Sequence, residues 1–451
     1  MTAATPNLAP LVAGTRALVL GLGRTGLSCA RYLSRRGLAV RVADTRAAPP
    51  GAQALRAELP GVELHTGAFR PELLEGVAQV VISPGLSVRE PIAEEASRRG
   101  LPVVGDVELF ARACTAPIAA VTGTNGKSTV TTLVAALANA AGRRAVAGGN
   151  LGEPALDLLE GAPPELYVLE LSSFQLETTY SLCTVTATVL NVTPDHMDRY
   201  ATLTDYAASK ARIFEGCEVA VINADDPVVR AMPRPGQRVI SFSLESRDAD
   251  YTVAAEPTPM ILRHGEPLLP LSALRIQGRH NAANAMAALA MCEALGIPRQ
   301  PALDALTAFG GLPHRSQWVA EVGGVRFVND SKGTNVGATL AAVSGLPGPL
   351  VLILGGDGKN QDFSALRGAF RGKVTHAVLI GRDAPVIEEV LAGVCSTERA
   401  ADMDAAVRAA RAAARPGAVV LLSPACASLD MFRDYAHRGD EFVAAVRRLA
   451  A

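Results

Sequence analysis

Val121-Thr-Gly-Thr-Asn-Gly-Lys-Ser-Thr-Val130 is the most informative segment of this 451-residue chain. The apolar run Pro117-Ile-Ala-Ala precedes it and an Ala/Leu-rich segment follows it, so the sequence predicts a buried strand, a glycine turn and a helix. Such a turn binds polyphosphate, because its backbone N–H groups approach the anion closely and its lysine adds positive charge. Val121 stands where the full G-x-x-x-x-G-K-[ST] pattern has glycine, which leaves an ordinary glycine turn as the alternative.

The composition indicates a globular chain that acts on small molecules. Hydrophobic residues make up 49% of the chain and charged residues 19%, which is compatible with two to four domains. The formal net charge of −1 provides no overall attraction to nucleic acid or to an anionic membrane. Local sites must therefore hold any anionic ligand.

The cysteines and the N-terminus favour a reducing cytoplasm. The 7 cysteines are scattered without C-x-x-C spacing, which argues against a disulfide framework and against a zinc site. Residues 1–7 lack the pattern of a secretory signal, and no apolar run approaches the ~20 residues of a membrane span. We expect a cytoplasmic protein with no nucleic-acid partner and no membrane insertion.

The first hundred residues predict an α/β unit with a second glycine turn. A buried strand leads into Gly21-Leu-Gly-Arg-Thr-Gly26, followed by a helix at 27–37 and a strand ending at Asp44. This G-x-G-x-x-G pattern is typical of dinucleotide binding, in which Asp44 would contact ribose hydroxyls. A further strand runs into Ser83-Pro-Gly85, so another glycine turn is expected at a strand's carboxyl end, where ligands of parallel sheets bind.

The second unit begins near Asp106 and contains the phosphate loop. Its later strands are expected at 165–170, 185–190 and 218–222. If they lie parallel to the strand before Gly123, their carboxyl ends share its edge of the sheet. Four polar side chains are then expected around a triphosphate: Glu170, Asp195, His196 and Asp225. Residues 257–270 predict irregular or hairpin structure, and 281–295 predict a helix.

A third unit begins near Leu312, and its strands also end in polar or glycine turns. The expected strands are 325–328, 350–354, 377–380 and 418–422. We therefore predict three doubly wound α/β domains, at 1–105, 106–311 and 312–451.

The motifs taken together resemble those of the Mur ligases of peptidoglycan synthesis. The resemblance rests on Gly123-Thr-Asn-Gly-Lys-Ser-Thr129, Glu170-Leu-Ser-Ser-Phe-Gln175, Asn191-Val-Thr-Pro-Asp-His-Met-Asp198, Gly278-Arg-His-Asn-Ala-Ala-Asn284, Leu312-Pro-His-Arg315, Asp330-Ser-Lys332 and Ser423-Pro-Ala-Cys-Ala-Ser428. It covers nearly the whole chain. The glycine turns of the first unit are similar to the uridine-nucleotide domain of the member that uses D-glutamate.

The resemblance implies a reaction as well as a fold. A Rossmann-like domain (1–105) would bind the UDP substrate, a P-loop domain (106–311) ATP, and a Rossmann-like C-terminal domain (312–451) the amino acid. ATP, with two Mg²⁺ ions, would phosphorylate the alanyl carboxylate of UDP-N-acetylmuramoyl-L-alanine, and the amine of D-glutamate would displace the phosphate. Such a reaction depends on positioning and charge neutralisation. The resemblance is also taken to imply a monomer.

The resemblance assigns catalysis and metal binding to a small set of residues. Those implied to be catalytic are Lys127, Glu170, His196 and Lys210. The metal would be held by Ser128, Glu170, His196 and Lys210, the last as a carbamate. ATP would contact Gly123, Thr124, Asn125, Gly126, Lys127, Ser128, Thr129, Asn281, Asn284, Arg315 and Asp330.

Two further sets of residues are implied to bind the other substrates. The UDP substrate would contact Thr25, Gly26, Asp44, Thr45, Arg46, Gly85, Asn150, Gly152 and Ser172. The amino acid would contact Lys332, Thr334, Lys359, Ser428 and Tyr435. Gly333, Asn360 and Tyr435 depart from the family's usual alanine, glycine and phenylalanine, which affects the fine geometry of the amino-acid pocket.

Without the resemblance, several of these residues have simpler interpretations. Lys210 would be a solvated helical lysine, Asn281 and Asn284 helix caps, and His196 a hydrogen-bonding residue, because Mg²⁺ prefers oxygen ligands. The alternative functions are another ligase of the family, a folylpolyglutamate synthase, a nicotinamide-dependent dehydrogenase and a non-catalytic nucleotide-binding protein. A folylpolyglutamate synthase would lack the N-terminal UDP domain, and a dehydrogenase would leave the phosphate loop unused.

Overall fold

The computed structural model of the protein describes residues 12–254, 258–276 and 278–450. The prediction for residues 1–7, and the start of the segment 257–270, lie outside this part of the chain. The described residues form three sheets of five, nine and six strands. The expected fold class, three α/β units with mostly parallel sheets, is confirmed; the domain limits 1–105, 106–311 and 312–451 stay a prediction.

The first sheet is wholly parallel. Its strands are β1 (Arg16–Leu20), β2 (Ala39–Asp44), β3 (Glu63–Thr66), β4 (Val77–Ile82) and β5 (Val103–Val104), and its helices are α1 (Arg24–Arg35), α2 (Ala52–Glu58) and α3 (Pro91–Arg98). The strand order is β3-β2-β1-β4-β5. Helix α1 begins inside the glycine turn, earlier than the predicted residue 27. Gly26 permits this close packing, because a Cβ there would lie 1.9 Å from the Gly21 carbonyl oxygen.

The second sheet carries the phosphate loop on a central strand. After helix α4 (Asp106–Ala113) come β6 (Ile118–Thr122), β7 (Ala145–Gly149), β8 (Leu166–Glu170), β9 (Thr184–Val189), β10 (Cys217–Asn223), β11 (Arg238–Phe242), β12 (Tyr251–Ala254), β13 (Met260–Arg263) and β14 (Glu266–Pro270). The helices of this unit are α5 (Lys127–Ala140), α6 (Ser173–Glu177), α7 (Leu203–Ala211), α8 (Pro227–Arg230), α9 (Arg279–Ala294) and α10 (Arg299–Ala308).

Strand β6 lies between β9 and β8, and all three are parallel. Strand β10 pairs in parallel with β9. The predicted parallel arrangement is therefore confirmed, and the loops after these strands share one edge of the sheet. Strands β13 and β14 form an antiparallel hairpin, one of the two structures expected there.

The third sheet is parallel except for one edge strand. It contains β15 (Gln317–Val322), β16 (Val325–Asn329), β17 (Leu350–Gly355), β18 (Val374–Ile380), β19 (Ser396–Arg399) and β20 (Val419–Leu422). Its helices are α11 (Val336–Gly345), α12 (Leu366–Phe370), α13 (Ala384–Leu391), α14 (Met403–Ala413) and α15 (Tyr435–Ala450). The order is β15-β16-β20-β17-β18-β19, with β15 antiparallel to β16. No helix in the described ranges is long and apolar enough to cross a bilayer.

Candidate active site

The loop between β6 and α5 is shaped around its lysine. Lys127 is the first residue of α5, and its Nζ donates to the carbonyl oxygens of Gly123 and Thr124, both at 2.9 Å. Burial lowers the pKa of Lys127, and the carboxylates of Glu170 and Asp195 oppose that shift. The amine is thus held over the loop. A bound anion there would stabilise its charged form and offset the cost of its burial.

Helix α9 packs directly against this loop. A Cβ on Gly126, whose φ is 87°, would lie 2.6 Å from Asn284 Oδ1, so glycine is required there. Asn284 Nδ2 donates to Asn281 Oδ1 at 3.1 Å. The N-cap residue of α9 is Gly278, so neither asparagine occupies the capping position considered as the simpler interpretation.

Glu170 offers a carboxylate oxygen that suits a cation. Its Oε1 accepts a hydrogen bond from Asn150 Nδ2 at 2.7 Å, whereas its Oε2 is buried with no hydrogen-bond partner among the described residues. A buried orphan of this kind is uncommon, and Mg²⁺ prefers such oxygens. Nearby, Ser128 Oγ accepts a hydrogen bond from Arg315 Nη2 at 2.5 Å.

The part of the chain that the structure describes does not supply a complete set of metal ligands of its own. Within the described ranges, no group of three or more His, Cys, Asp or Glu side chains could hold a metal ion. Mg²⁺ commonly binds through one or two protein oxygens and the phosphates of its substrate. Glu170 and Ser128 therefore fit an ion that arrives with a nucleotide.

Lys210 is not the solvated lysine that its helical position suggests. The residue is 1% exposed and its Nζ donates to the Gly123 carbonyl at 3.0 Å, the same oxygen that Lys127 contacts. Burial, reinforced by the charge of Lys127, places its pKa well below the ordinary value. A lysine in this environment is readily uncharged and nucleophilic.

His196 follows β9 in a left-handed conformation, with φ 57°. Its ring packs edge-on against Phe174 at 4.9 Å between centroids. Burial lowers the pKa of His196 despite the neighbouring Asp195, so the neutral ring can accept a hydrogen bond or a metal. Asp225 is engaged elsewhere: it accepts hydrogen bonds from Ser243 and from the Leu244 N–H, beside β11.

A cavity of about 320 Å³ lies between the second and third units. The predicted ATP residues that line it are Asn125, Gly126, Thr129, Asn281, Asn284, Arg315 and Asp330. Asp330 accepts hydrogen bonds from Ser316 N at 3.0 Å and Ser423 Oγ at 2.8 Å. Burial raises the pKa of Asp330 to about 6.

The residues predicted to bind the amino acid substrate do not form a single cluster. Lys332 Nζ lies 3.7 Å from the centre of the Tyr435 ring, and burial lowers the pKa of Lys332 to about 8. Lys359 instead pairs with Asp195 Oδ1 at 2.7 Å, across the gap between units. The Thr334 N–H donates to the Lys332 carbonyl at 2.8 Å, and Ser428 is buried before α15.

A second cavity, of about 270 Å³, lies at the carboxyl edge of the first sheet. It is lined by the predicted residues Thr25, Asp44, Thr45, Arg46 and Gly85. Arg46, together with the N–H of Leu22, holds the Asp44 carboxylate and lowers its pKa to about 2. Four other residues predicted to contact the UDP substrate do not line this cavity: Gly26, Asn150, Gly152 and Ser172.

Two of those four residues have partners in the second unit. Asn150 contacts Glu170, and Ser172 caps α6 by accepting a hydrogen bond from the Gln175 N–H. Both residues are thus part of the second unit and not of the wall of the first cavity.

Sequence reasoning missed two residues that organise the site. Arg438 is fully buried and donates to the Ser331 carbonyl at 2.7 Å and to the Cys426 carbonyl at 3.1 Å, which fixes two loops of the third unit. Asn335 caps α11 and also contacts Asn125 and Asp195 of the second unit. The cap was detectable from an asparagine before an apolar run. Nothing in the helical sequence around Arg438 indicates its burial.

Family comparisons match all three units. The Mur ligase middle domain matches residues 121–292, the MurD-like N-terminal domain of Mur ligases matches 15–105, and the glutamate ligase domain of Mur ligases matches 314–426.

Named relatives extend over nearly the whole chain. A protein of Methylococcus capsulatus, named UDP-N-acetylmuramoylalanine--D-glutamate ligase, is 54% identical over 97% of this chain and 95% of its own length. A protein of the same name from Aromatoleum aromaticum is also 54% identical, over 97% of this chain and 98% of its own.

Solved structures share the fold at low sequence identity. The UDP-N-acetylmuramate-alanine ligase MurC of Thermotoga maritima superposes with a TM-score of 0.61 and 19% identity, over 96% of this chain and 99% of that one. The MurF ligase of Thermotoga maritima in complex with ADP superposes with a TM-score of 0.61 and 15% identity, over 97% and 96%.

Proposed function

This chain belongs to the Mur ligase family, and we propose that it is the ATP-dependent ligase that joins D-glutamate to UDP-N-acetylmuramoyl-L-alanine. The observation that carries the proposal is the meeting of Lys127, Lys210 and the free oxygen of Glu170 beside a gap into which Arg315 reaches. Such a site neutralises the charge of a transferring phosphoryl group.

ATP binding would draw on two units. The amides of the phosphate loop and Lys127 would hold the phosphates, and Arg315 would approach them from the third unit. The cavity beside Asn284 and Asp330 would take the adenine and ribose. Because these groups come from both sides of one gap, ATP would also hold the two units together.

The metal-binding proposal rests on Glu170 and Ser128, whose oxygens fit Mg²⁺. When bound, Mg²⁺ would supply Lewis-acid charge at the phosphate oxygens. We propose His196 as a further contact near the reacting carboxylate, in its neutral form. We retain the expectation of two ions.

Lys210 is proposed to act as a carbamate. Its lowered pKa favours the uncharged amine, and an uncharged amine reacts with carbon dioxide, with loss of a proton, to give a carbamate anion that can bind a cation. Intact-protein mass spectrometry under bicarbonate should detect this adduct in the wild type and not in Lys210→Ala. Small carboxylic acids should then restore part of the activity of Lys210→Ala.

The amino-acid site would use the cations of the third unit. Lys332 and Lys359 are the proposed partners of the two carboxylates of D-glutamate, and Tyr435, Thr334 and Ser428 would fix its orientation. The attack by its amine on the acyl phosphate forms the amide and releases phosphate. The N-terminal cavity would hold the uridine diphosphate, with Asn150, Gly152 and Ser172 nearer the muramoyl-alanine end.

The cellular setting is part of the proposal. All seven cysteines are free, which is compatible with a reducing cytoplasm. We expect the enzyme to act there as a monomer, with its three small substrates as its partners. Light scattering on the purified protein measures the oligomeric state directly.

The decisive experiment is phosphate release with Mg-ATP and UDP-N-acetylmuramoyl-L-alanine. D-glutamate is compared with L-glutamate, L-alanine, L-lysine and diaminopimelate. We expect release only with D-glutamate, together with a product of the corresponding mass. Turnover with another amino acid would move the enzyme within its family, and no turnover with any of them would reject the proposal.

A further inference from the structure

Arg199 lies between the N-terminal cavity and the turn that carries His196. Its Nη1 donates to the Pro84 carbonyl at 3.0 Å, and its Nη2 donates to the Leu86 carbonyl. Both acceptors belong to the turn after β4, and that turn lines the 270 Å³ cavity. Arg199 itself belongs to the second unit, so its side chain links two units at the cavity wall.

The guanidinium is fixed from its own side as well. It stacks on the Phe174 ring at 4.0 Å from the centroid and lies 3.7 Å from a Glu177 carboxylate oxygen. Its side chain is only 16% exposed, and its Nε is buried with no hydrogen-bond partner among the described residues. Since water cannot replace lost partners easily in such a place, the two carbonyl contacts are costly to break.

The backbone of Arg199 is tied to His196. The Arg199 N–H donates to the His196 carbonyl at 2.9 Å, and the Tyr200 N–H donates to the same oxygen at 3.0 Å. The left-handed conformation of His196 is unfavourable for a side chain with a Cβ and persists where surrounding contacts hold it. A displacement of the turn at 84–86 would therefore move Arg199, and the backbone hydrogen bond of Arg199 would pass that movement to His196.

We propose that Arg199 is a positioning residue that couples occupation of the UDP cavity to the placement of His196. By holding the turn at 84–86, it sets the distance between the UDP end of the substrate and the carboxylate that reacts. This inference rests on the proposed function, because it uses both the UDP cavity and the acyl-phosphate step.

The test compares Arg199→Ala and Arg199→Lys with the wild type. For Arg199→Ala we expect the KM for the UDP substrate to rise about tenfold and kcat to fall about tenfold, with the KM for ATP nearly unchanged. Arg199→Lys keeps the charge but cannot donate to two carbonyls as arginine does. Its KM for the UDP substrate and its kcat should therefore lie between those of the wild type and those of Arg199→Ala. Calorimetric titration with UDP alone should show weaker binding to Arg199→Ala.

Arg212→Ala is the matched control. Arg212 also donates to two carbonyls, those of Leu176 at 2.8 Å and Thr179 at 2.6 Å, and stacks on Tyr180, but all these partners lie in the second unit. The Arg212→Ala variant should lower Tm as Arg199→Ala does, without changing the KM for the UDP substrate or the affinity for UDP.

Equal losses of Tm with an unchanged KM and UDP affinity for Arg199→Ala would overturn the inference and leave the proposed function intact. A wild type that binds UDP but turns over no UDP substrate would reject the proposed function and, with it, the coupling to the acyl-phosphate step; weaker UDP binding by Arg199→Ala would then support only the link between Arg199 and the UDP cavity. A wild type that does not bind UDP would overturn both.

Discussion

Glu170 allows the metal-binding proposal to be tested at a single oxygen. Glu170→Gln keeps the acceptor for Asn150 and replaces only the unpartnered Oε2 by an amide. We expect kcat to fall by about 100-fold or more, because an amide neither carries the charge nor binds Mg²⁺ as well. Tm should also fall, because the Glu170 carboxylate offsets the buried positive charges of Lys127 and Arg315.

Glu165→Gln is the control for this change, because Glu165 stands just before the same strand, is exposed, and accepts a hydrogen bond from the Arg144 N–H at 2.9 Å. Phosphate release and thermal unfolding are measured for both variants. Equal activity of Glu170→Gln and Glu165→Gln across a Mg²⁺ titration would exclude Glu170 as a metal ligand.

The raised pKa of Asp330 leads us to expect that the free energy of unfolding depends on pH. Its folded-state pKa is about 6, above the ordinary 3.8, so the folded protein binds this proton more tightly than the unfolded chain does. The stabilisation is complete at low pH and is lost as the pH rises from ~4 to ~6, by at most ~3 kcal/mol. Above about pH 6 the contribution is constant.

The isosteric variant Asp330→Asn isolates this contribution. It retains an acceptor for Ser316 N, and Ser423 Oγ has a second acceptor in Thr339 Oγ1 at 3.1 Å. We expect the free energy of unfolding of the wild type, relative to Asp330→Asn, to fall between pH 4 and 6. Asp106 also has a pKa of about 6, but it is common to both proteins and cancels. Parallel pH curves would contradict the prediction.

The identities of the chemical residues could be predicted from the sequence, but not their surroundings. Lys127 and Glu170 follow from a glycine turn and from a carboxylate at the end of an apolar strand. The burial of Lys210 could not be predicted without the resemblance, because lysines are mostly exposed and only the fold brings α7 against the Gly123 carbonyl. The burial of Arg438 could not be predicted either, because only the fold brings its side chain against the Ser331 and Cys426 carbonyls.

At the scale of elements, the contact between the phosphate loop and α9 explains the glycine before α5. In Gly126→Ala the new methyl group would meet Asn284 Oδ1 at 2.6 Å, in addition to the strain of a positive φ. We expect the loop or α9 to shift and the KM for ATP to rise about tenfold or more. Initial rates at varied ATP measure the change.

Gly142→Ala provides the control at the other end of the same helix. Gly142 has a similar φ of 83°, but a Cβ there meets nothing within 4 Å. Both variants should lose about 1–2 kcal/mol of stability from backbone strain, and only Gly126→Ala should lose ATP affinity. A loss of ATP affinity in both would assign the effect to helix strain instead of contact.

Central strands were more predictable than edge strands for a physical reason. Strands such as β6 and β17 are buried on both faces and appear as continuous apolar runs. Strands β3 (Glu-Leu-His-Thr) and β19 (Ser-Thr-Glu-Arg) lie at sheet edges, are largely exposed and carry no apolar pattern. Only their pairing with a neighbouring strand defines them.

At the scale of the whole molecule, one of the contacts between the second and third units is a cluster of polar side chains around Asn335. Asn335 Nδ2 donates to Asp195 Oδ2 at 3.1 Å and to Asn125 Oδ1 at 3.2 Å, while its Oδ1 caps α11 through the Ala338 N–H. Lys359 pairs with Asp195 beside it. These side chains help to set the relative position of the two units, which the sequence could not predict.

Asn335→Asp tests whether this contact holds the units together. The new carboxylate keeps the cap of α11 but faces the Asp195 carboxylate, so repulsion should separate the units. Asn335→Ser keeps a capping oxygen without adding charge and is the control. We expect a larger radius of gyration for Asn335→Asp by solution scattering, and a KM for ATP raised about tenfold, because ATP must first close the gap. High salt should reduce the difference by screening the repulsion. Identical scattering profiles for the two variants, with and without ATP, would mean that the units are held by other contacts, of which Arg315 to Ser128 is the next to test.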